Sequence, residues 1–213
     1  MSNDRKAVDK TKVKEMDMLI KHMDRYFEQT GCSVLHPIVD NGFHIDVLLY
    51  KPSEKYPFWK LVTMGASDYK MPKAPNSFGR FNEYIMFVDG NENLEDMNVA
   101  SWFHSKLIMI ASYAKFYNTH ISYGHSLEWQ NDDPEDEMIA AFIEMPQVIS
   151  NVGILHCKIG MFKTVACLQT VLLNKNDLDK LMEIGPQAFS NYLYPENNGK
   201  RHFLSERQRS ENF

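Results

Sequence analysis

His44 and Asp46 are the two residues of this chain whose types and spacing most directly suggest chemistry. They lie two positions apart in a strand-like run, so both side chains should point to the same face of a strand. An imidazole beside a carboxylate can ligate a metal or exchange protons, and Asp68 could complete such a site in a small metal-dependent hydrolase. The alternative is a pair of strand residues hydrogen-bonded to nearby loops. Because no third group stands at a known distance, we predict no metal, no cofactor and no catalytic residue.

Further polar residues gather at the ends of two other apolar runs, 59–62 and 84–88. They are Thr63, Gly65, Ser67 and Asp68 after the first run, and Arg80 and Glu83 before the second. Polar groups at the ends of neighbouring strands either hold the loops of a sheet together or form a site. The residues alone leave both interpretations open.

Several common reaction signatures are missing from the chain. Neither GxGxxG nor GxxxxGK[ST] occurs, which argues against the usual nucleotide-binding loops, and there is no GxSxG nucleophile motif. The three cysteines, Cys32, Cys157 and Cys167, show no CxxC spacing. We therefore predict reduced thiols without a disulfide framework, with Cys157 and Cys167 as inert core residues.

An acidic run is the largest local concentration of charge. It comprises Asp132, Asp133, Glu135, Asp136 and Glu137. Such a run is either a solvated loop or a patch that attracts a basic partner. Trp129, with Tyr123 and Glu128 nearby, is a candidate anchor for that partner, although a tryptophan in this position could equally belong to the core.

Composition narrows the class of protein. The chain has 213 residues, 44% of them hydrophobic and 12% aromatic, enough for one domain with a sizeable core. A formal net charge of −5 argues against nucleic acid as a general partner. The first residues lack the apolar segment of a signal peptide, and no run is long enough to span a membrane. A cytoplasmic location without membrane association is therefore expected.

The hydrophobic periodicity predicts the elements that must position these residues. Helices are predicted at 6–29, 99–117 and 174–185, and strands at 33–39, 44–50, 58–63, 84–88, 120–129, 138–145, 152–159 and 163–173. Asn41-Gly42 predicts a tight hairpin between the first two strands. The result is a single α+β domain, with a mixed and mainly antiparallel sheet flanked by helices. We divide it into an N-terminal helix (1–32), a main domain (33–194) and a flexible polar tail (195–213).

The order of these segments resembles the suppressor-of-fused domain in its short bacterial form. That family shows Asp-Val in an early strand, a T-x-G-x-S segment followed by Met, an R-x-x-E step into a strand, and a late acidic helix that ends at Gly. The matching positions are Asp46 and Val47, then Thr63, Gly65, Ser67, Asp68 and Met71, then Arg80 and Glu83, and finally 176–185. The resemblance covers 33–194 and rests on order and spacing rather than on any single motif.

This resemblance implies protein binding rather than catalysis. Short bacterial members of the suppressor-of-fused family resemble immunity proteins. Such proteins block a cognate toxin, often a nuclease, by direct association in the cytoplasm. The expected partner is therefore a protein, with a toxin as the first candidate. An intracellular adaptor that holds a regulatory protein is the alternative implied by the animal members, and the hydrolase that uses His44, Asp46 and Asp68 is a second alternative. The oligomeric state and the binding face stay open.

Overall fold

A computed structural model describes residues 10–37, 43–74, 79–160, 162–194 and 202–208. The helices are α1 (Lys10–Phe27), α2 (Met97–Phe116) and α3 (Lys175–Leu193), and 3-10 turns cover Ala66–Asp68 and Val152–Leu155. The strands are β1 (Ser33–Leu35), β2 (Asp46–Tyr50), β3 (Trp59–Met64), β4 (Asn82–Val88), β5 (Ser126–Glu128), β6 (Ala140–Glu144), β7 (His156–Ile159) and β8 (Lys163–Leu173). The predicted Asn41-Gly42 hairpin lies outside the described residues.

The strands form one mixed sheet with the order β1-β2-β3-β4-β8-β6-β5, and β7 pairs with β8 beside this path. Only the β4–β8 pair among these described strands is parallel, and the other pairs are antiparallel. The predicted fold class, an α+β domain with a mainly antiparallel sheet, is therefore confirmed.

The sheet separates two hydrophobic cores. Successive strand residues point to opposite faces, so Leu48 joins one core and its neighbour Val47 joins the other. Helices α1 and α3 cover the first face, and α2 covers the second. Strands β2, β3, β4 and β6 are buried along their whole length because both faces of the sheet are covered.

Side-chain caps define the helix ends. Asn174 and Asp177 form a capping box at the start of α3. We expected this helix to end at Gly185. Gly185 has φ +78°, which interrupts the helical backbone at a kink, and Pro186 begins a second helical segment that reaches Leu193.

Residues 202–208 differ from the expected flexible tail. Phe203, Leu204 and Ser205 are buried, and Ser205 forms a parallel bridge with Val88. The Phe203 ring packs against the rings of Phe58, Phe87 and Tyr194. Phe203 and Leu204 therefore belong to the core, although the residues around them in the sequence are polar.

Within the described ranges, none of the helices combines the length and the apolar character needed to cross a bilayer.

Candidate functional site

The Glu83 carboxylate is the centre of the polar cluster that connects β3, β4 and the turn after β3. It accepts hydrogen bonds from the Thr63 hydroxyl at 2.6 Å and from the backbone N–H groups of Gly65, Ala66 and Ser67 at 3.0, 3.2 and 3.0 Å. Burial raises the pKa of Glu83, while the hydrogen bonds from Thr63, Ser67 and Gly65 act in the opposite direction. The carboxylate is thus fully engaged inside the protein, where it holds the turn in place.

Gly65 is required for this turn. Its φ is +124°, and a Cβ at this position would lie 2.6 Å from the carbonyl oxygen of His44. Any side chain would therefore push the turn away from the segment that leads into β2. Thr63, Gly65, Ser67 and Glu83 are brought together as one structural unit, which explains their spacing without catalysis.

Met71 and Arg80 support the same region. The sulfur of Met71 is buried and accepts a hydrogen bond from the Ile121 backbone N–H at 3.5 Å. The Arg80 guanidinium donates to the Met71 carbonyl, and the Met71 N–H donates to the Arg80 carbonyl. These contacts fasten the loop after β3 to the residues before β4.

Asp68 does not join His44 and Asp46. Its carboxylate pairs with Lys12 of α1 at 2.7 Å and lies 4.0 Å from Lys163. The three carboxylate and imidazole groups of the hydrolase alternative are therefore not assembled into one site.

Asp46 instead contacts two histidines, His44, which was predicted to lie beside it, and His36, which was not. Its Oδ1 atom lies 2.8 Å from His36 Nδ1 and 2.9 Å from His44 Nε2. His36 was missed because it is distant from Asp46 in sequence, and only the pairing of Leu35 with Val47 brings the next residue opposite Asp46. If the register of the β1–β2 pair had been predicted, its extension by one residue would have placed His36 opposite Asp46.

Cys157 and Cys167 confirm the prediction of inert thiols. Both are free and buried, Cys157 on β7 and Cys167 on β8. Burial raises the pKa of Cys157 to about 11 and that of Cys167 well above its usual range. Neither thiol is therefore ionised near neutral pH, and neither is a nucleophile there.

The acidic run divides into one structural residue and several exposed ones. Asp136 forms an ion pair with Lys106 of α2 at 2.7 Å, in which both side chains are only about one-tenth exposed. It also accepts a hydrogen bond from Trp102 Nε1. The carboxylates that face solvent are Asp132, Asp133, Glu135 and Glu137.

Trp129 lies on a groove beside α2, and neighbouring groups fix the orientation of its ring. Its Nε1 donates to Asn131 and to the Met138 carbonyl, and Lys106 Nζ lies 5.2 Å from the ring centroid. The residue is half-buried against the core on the α2 side. Glu128 beside it is exposed, whereas Tyr123 donates to Gln187 of α3.

A groove of about 1120 Å³ runs along the outer side of α2. One wall contains 34–37, at the end of edge strand β1, and the other contains 127–130, at the end of edge strand β5. The helix supplies the apolar floor, which includes Met97, Met109, Phe116 and Tyr117. Met97 and Phe116 are 67% and 60% exposed, although the opposite face of the same helix is packed on the sheet. Helix α2 thus packs one apolar face on the sheet and leaves further large apolar side chains exposed.

His104 contributes a polar group to this groove. Its Nε2 atom is buried, and no described residue forms a hydrogen bond with it. Burial lowers the pKa of His104, so the ring is neutral near pH 7. A neutral imidazole can donate or accept a hydrogen bond, which provides a polar position on the helix that lines the groove.

Comparison with known proteins identifies the family. The model of the suppressor of fused protein (SUFU) family matches residues 42–206, well over half of the chain. The chain therefore belongs to the SUFU family, which confirms the resemblance drawn from its motifs. None of the curated proteins compared with this chain matches it.

Solved structures share the fold at low sequence identity. A SUFU homologue from Neisseria gonorrhoeae superposes with a TM-score of 0.61 at 11% identity, covering 93% of this chain and 96% of the other. The Sufu–Fu complex gives a TM-score of 0.65 at 13% identity, with 92% and 91% coverage. Drosophila Suppressor of Fused gives 0.63 at 15% identity, covering 90% of this chain but only 50% of its own length.

Proposed function

We propose that this protein is a non-catalytic binding module that neutralises a cognate toxin by direct association, as an immunity protein does. The observation that carries the proposal is the uncovered apolar side of α2 inside a groove of about 1120 Å³. Large exposed apolar side chains grouped in a concave surface are typical of interaction sites.

The groove has the composition of a protein interface. Binding surfaces combine an apolar centre with a polar rim, and the strongest contributions come from a few buried anchors. Here Met109 and Phe116 form part of the floor, while Glu128 and Gln130 lie on the wall near β5. A partner that inserts apolar side chains along α2 would cover this floor and exclude water from it.

The charge beside the groove favours a basic partner. The wall formed by 127–130 leads directly into the exposed carboxylates of Asp132, Asp133, Glu135 and Glu137. Negative groups at a rim accelerate association with a positive surface. Nuclease toxins carry positive active sites because their substrates are polyphosphates, so a nuclease is the class of toxin that this surface fits best.

The related structures support protein binding in a second way. One of them is a complex of Sufu with Fu, so this fold can present a surface to a protein partner. Fold-level similarity alone does not transfer a partner, and the location of our proposed surface rests on the side chains of this chain.

Co-expression with the product of a neighbouring toxin gene in a sensitive host tests the proposal. We expect the protein to restore growth and to co-purify with the toxin as a stable complex. Growth restored without a complex would contradict direct neutralisation. Met182→Glu is the control variant, because Met182 is an exposed residue of α3, on the opposite face of the sheet from α2. A host that co-expresses this variant with the toxin should grow as well as a host that co-expresses the wild-type protein.

An intracellular adaptor is the second candidate, and the Sufu–Fu complex is the observation that favours it. The same groove would then hold a regulatory protein rather than a toxin. Affinity purification from the native host, followed by mass spectrometry, separates the two candidates by the identity of the captured protein.

A further inference from the structure

His36, His44 and Asp46 place three potential metal-ligating atoms close together at the junction of β1 and β2. His36 Nδ1, His44 Nε2 and Asp46 Oδ1 all lie within 4.8 Å of one another. The Asp46 oxygen is the shared centre, at 2.8 Å from one imidazole and 2.9 Å from the other. Two imidazoles that converge on one carboxylate oxygen form a donor set rather than an ordinary surface ion pair.

The backbone fixes this arrangement. Leu35 pairs with Val47 in the antiparallel β1–β2 ladder, so the following residue His36 comes opposite Asp46. His44 reaches the same carboxylate from the segment just before β2. The Asp46 side chain is only 6% exposed, whereas those of His36 and His44 are 69% and 48% exposed. One ligand is thus held by the fold, and the other two can adjust.

We propose that these three residues bind one divalent transition-metal ion of the Zn²⁺ class, with solvent in the remaining coordination position. Imidazole nitrogens with a carboxylate suit Zn²⁺, Ni²⁺, Co²⁺ and Cu²⁺, whereas Mg²⁺ and Ca²⁺ prefer oxygen ligands throughout.

The two separations from Asp46 fit this ion after a small adjustment. Tetrahedral Zn²⁺ with ligands at about 2.1 Å places neighbouring ligand atoms about 3.4 Å apart. The two hydrogen-bond distances to Asp46 Oδ1 therefore need to open by roughly half an ångström to admit the ion. The two histidines can make this movement because they are exposed.

The bound ion would clamp the ends of two strands. It would connect the residue after β1 to the start of β2, and His36 also lies on the wall of the groove along α2. The metal would thus stabilise the edge of the sheet that bounds the proposed binding surface. The role is structural, and no reaction step is assigned to the ion.

Titration calorimetry of the untagged full chain with Zn²⁺ tests the site, with Co²⁺ absorption as the measure of coordination. We expect one ion to bind per chain, and the affinity to fall at least about tenfold in both His36→Gln and His44→Gln, since the loss of an outer-shell partner alone costs that much. Zn²⁺ should also raise the melting temperature of the wild type but not of His44→Gln. Both substitutions are at exposed positions, so the fold is retained.

Two control variants keep the result specific. His125→Gln removes an exposed histidine outside the cluster, and Cys32→Ser removes the one partly exposed thiol; both should bind Zn²⁺ like the wild type. The absence of saturable binding would overturn the proposal and leave a hydrogen-bonded cluster only. Binding of equal strength in the wild type, His36→Gln and His44→Gln would also overturn it, because the ion would then lie elsewhere.

Discussion

The Thr63 hydroxyl donates a hydrogen bond to the Glu83 carboxylate at 2.6 Å and accepts one from the backbone N–H of Tyr84 at 2.7 Å. Thr63→Val keeps the side-chain shape but removes the hydroxyl. The Tyr84 N–H then has no acceptor at this position, and the Glu83 carboxylate loses one of its donors. We expect a loss of about 1–3 kcal/mol in the free energy of unfolding, measured by denaturant titration. Thr63→Ser keeps the hydroxyl, so it should lose clearly less. Equal losses for the two variants would show that the methyl group, not the hydroxyl, matters.

Asp136 should contribute to stability in a way that its acidic neighbours do not. Its ion pair with Lys106 is almost buried, so Asp136→Ala leaves a positive charge with little access to water. We expect a loss of roughly 3 kcal/mol. Asp132→Ala, at an exposed position in the same run, should change the unfolding free energy by less than about 0.5 kcal/mol. Similar values for the two variants in a guanidinium titration would contradict the structural role of Asp136.

Lys60 should make the free energy of unfolding depend on pH in the alkaline range. The side chain is buried beside the rings of Phe27, Tyr56 and Phe58, and burial lowers its pKa from 10.5 to about 8. Between these two values the unfolded chain holds a proton that the folded protein has released, so the free energy of unfolding rises with pH.

Lys60→Met provides the comparison for this effect. The stability of the wild type relative to this variant should increase from about pH 8 to about pH 10.5, because all other titrating groups occur in both proteins. Urea titrations of the two proteins across this range supply the measurement. Parallel stability curves would show that Lys60 titrates alike in the folded and unfolded states.

The floor of the groove should control how long a partner stays bound. Phe116→Glu places a charge on the apolar floor, and we expect affinity for the captured partner to fall about tenfold or more, mainly through faster dissociation. Met182→Glu on α3 is the matched control, because Met182 is 74% exposed and lies outside the groove. Surface plasmon resonance measures both. An equal effect of the two substitutions would place the interface away from α2.

The exposed acidic residues should instead control how fast a basic partner binds. Changing Asp132, Asp133 and Glu135 to Lys should slow association, and the difference from the wild type should shrink as salt is added. Asp136 is left unchanged because of its ion pair with Lys106. The same charge change at Asp17, Glu54 and Glu183, which are exposed elsewhere, serves as the control. Association rates that respond equally to both sets would reflect net charge rather than a patch.

Local patterns were sufficient to predict most elements. The apolar stripe of α1, the broad apolar character of α2 and the continuous apolar run of β8 each reflect burial that involves nearby residues in sequence. The capping box of α3 is equally local, because Asn174 and Asp177 are within one turn of each other. The candidate sites were harder to predict from the sequence, since their residues come from separate helices and strands.

Long-range packing decides the features that were not predicted. His36 reaches Asp46 only across a ladder, and Asp136 loses its exposure because Lys106 of α2 is folded against it. Phe203 and Leu204 are embedded in polar sequence, so no periodic signal marks them, yet they complete the core beside Phe58 and Phe87. Glu83 is similar, because its role depends on backbone N–H groups that carry no sequence signature.

The parallel pairing of β4 with β8 also sets the order in which the molecule can fold. Strands β2, β3 and β4 follow one another directly in the chain, whereas Asn82 must find Ala166 across α2 and the three strands β5, β6 and β7. Closing such a long loop costs more chain entropy, and contacts between distant residues slow folding. We therefore expect the β2–β4 meander to form first during refolding, and the pairing of β8 with β4 to follow more slowly and complete both cores.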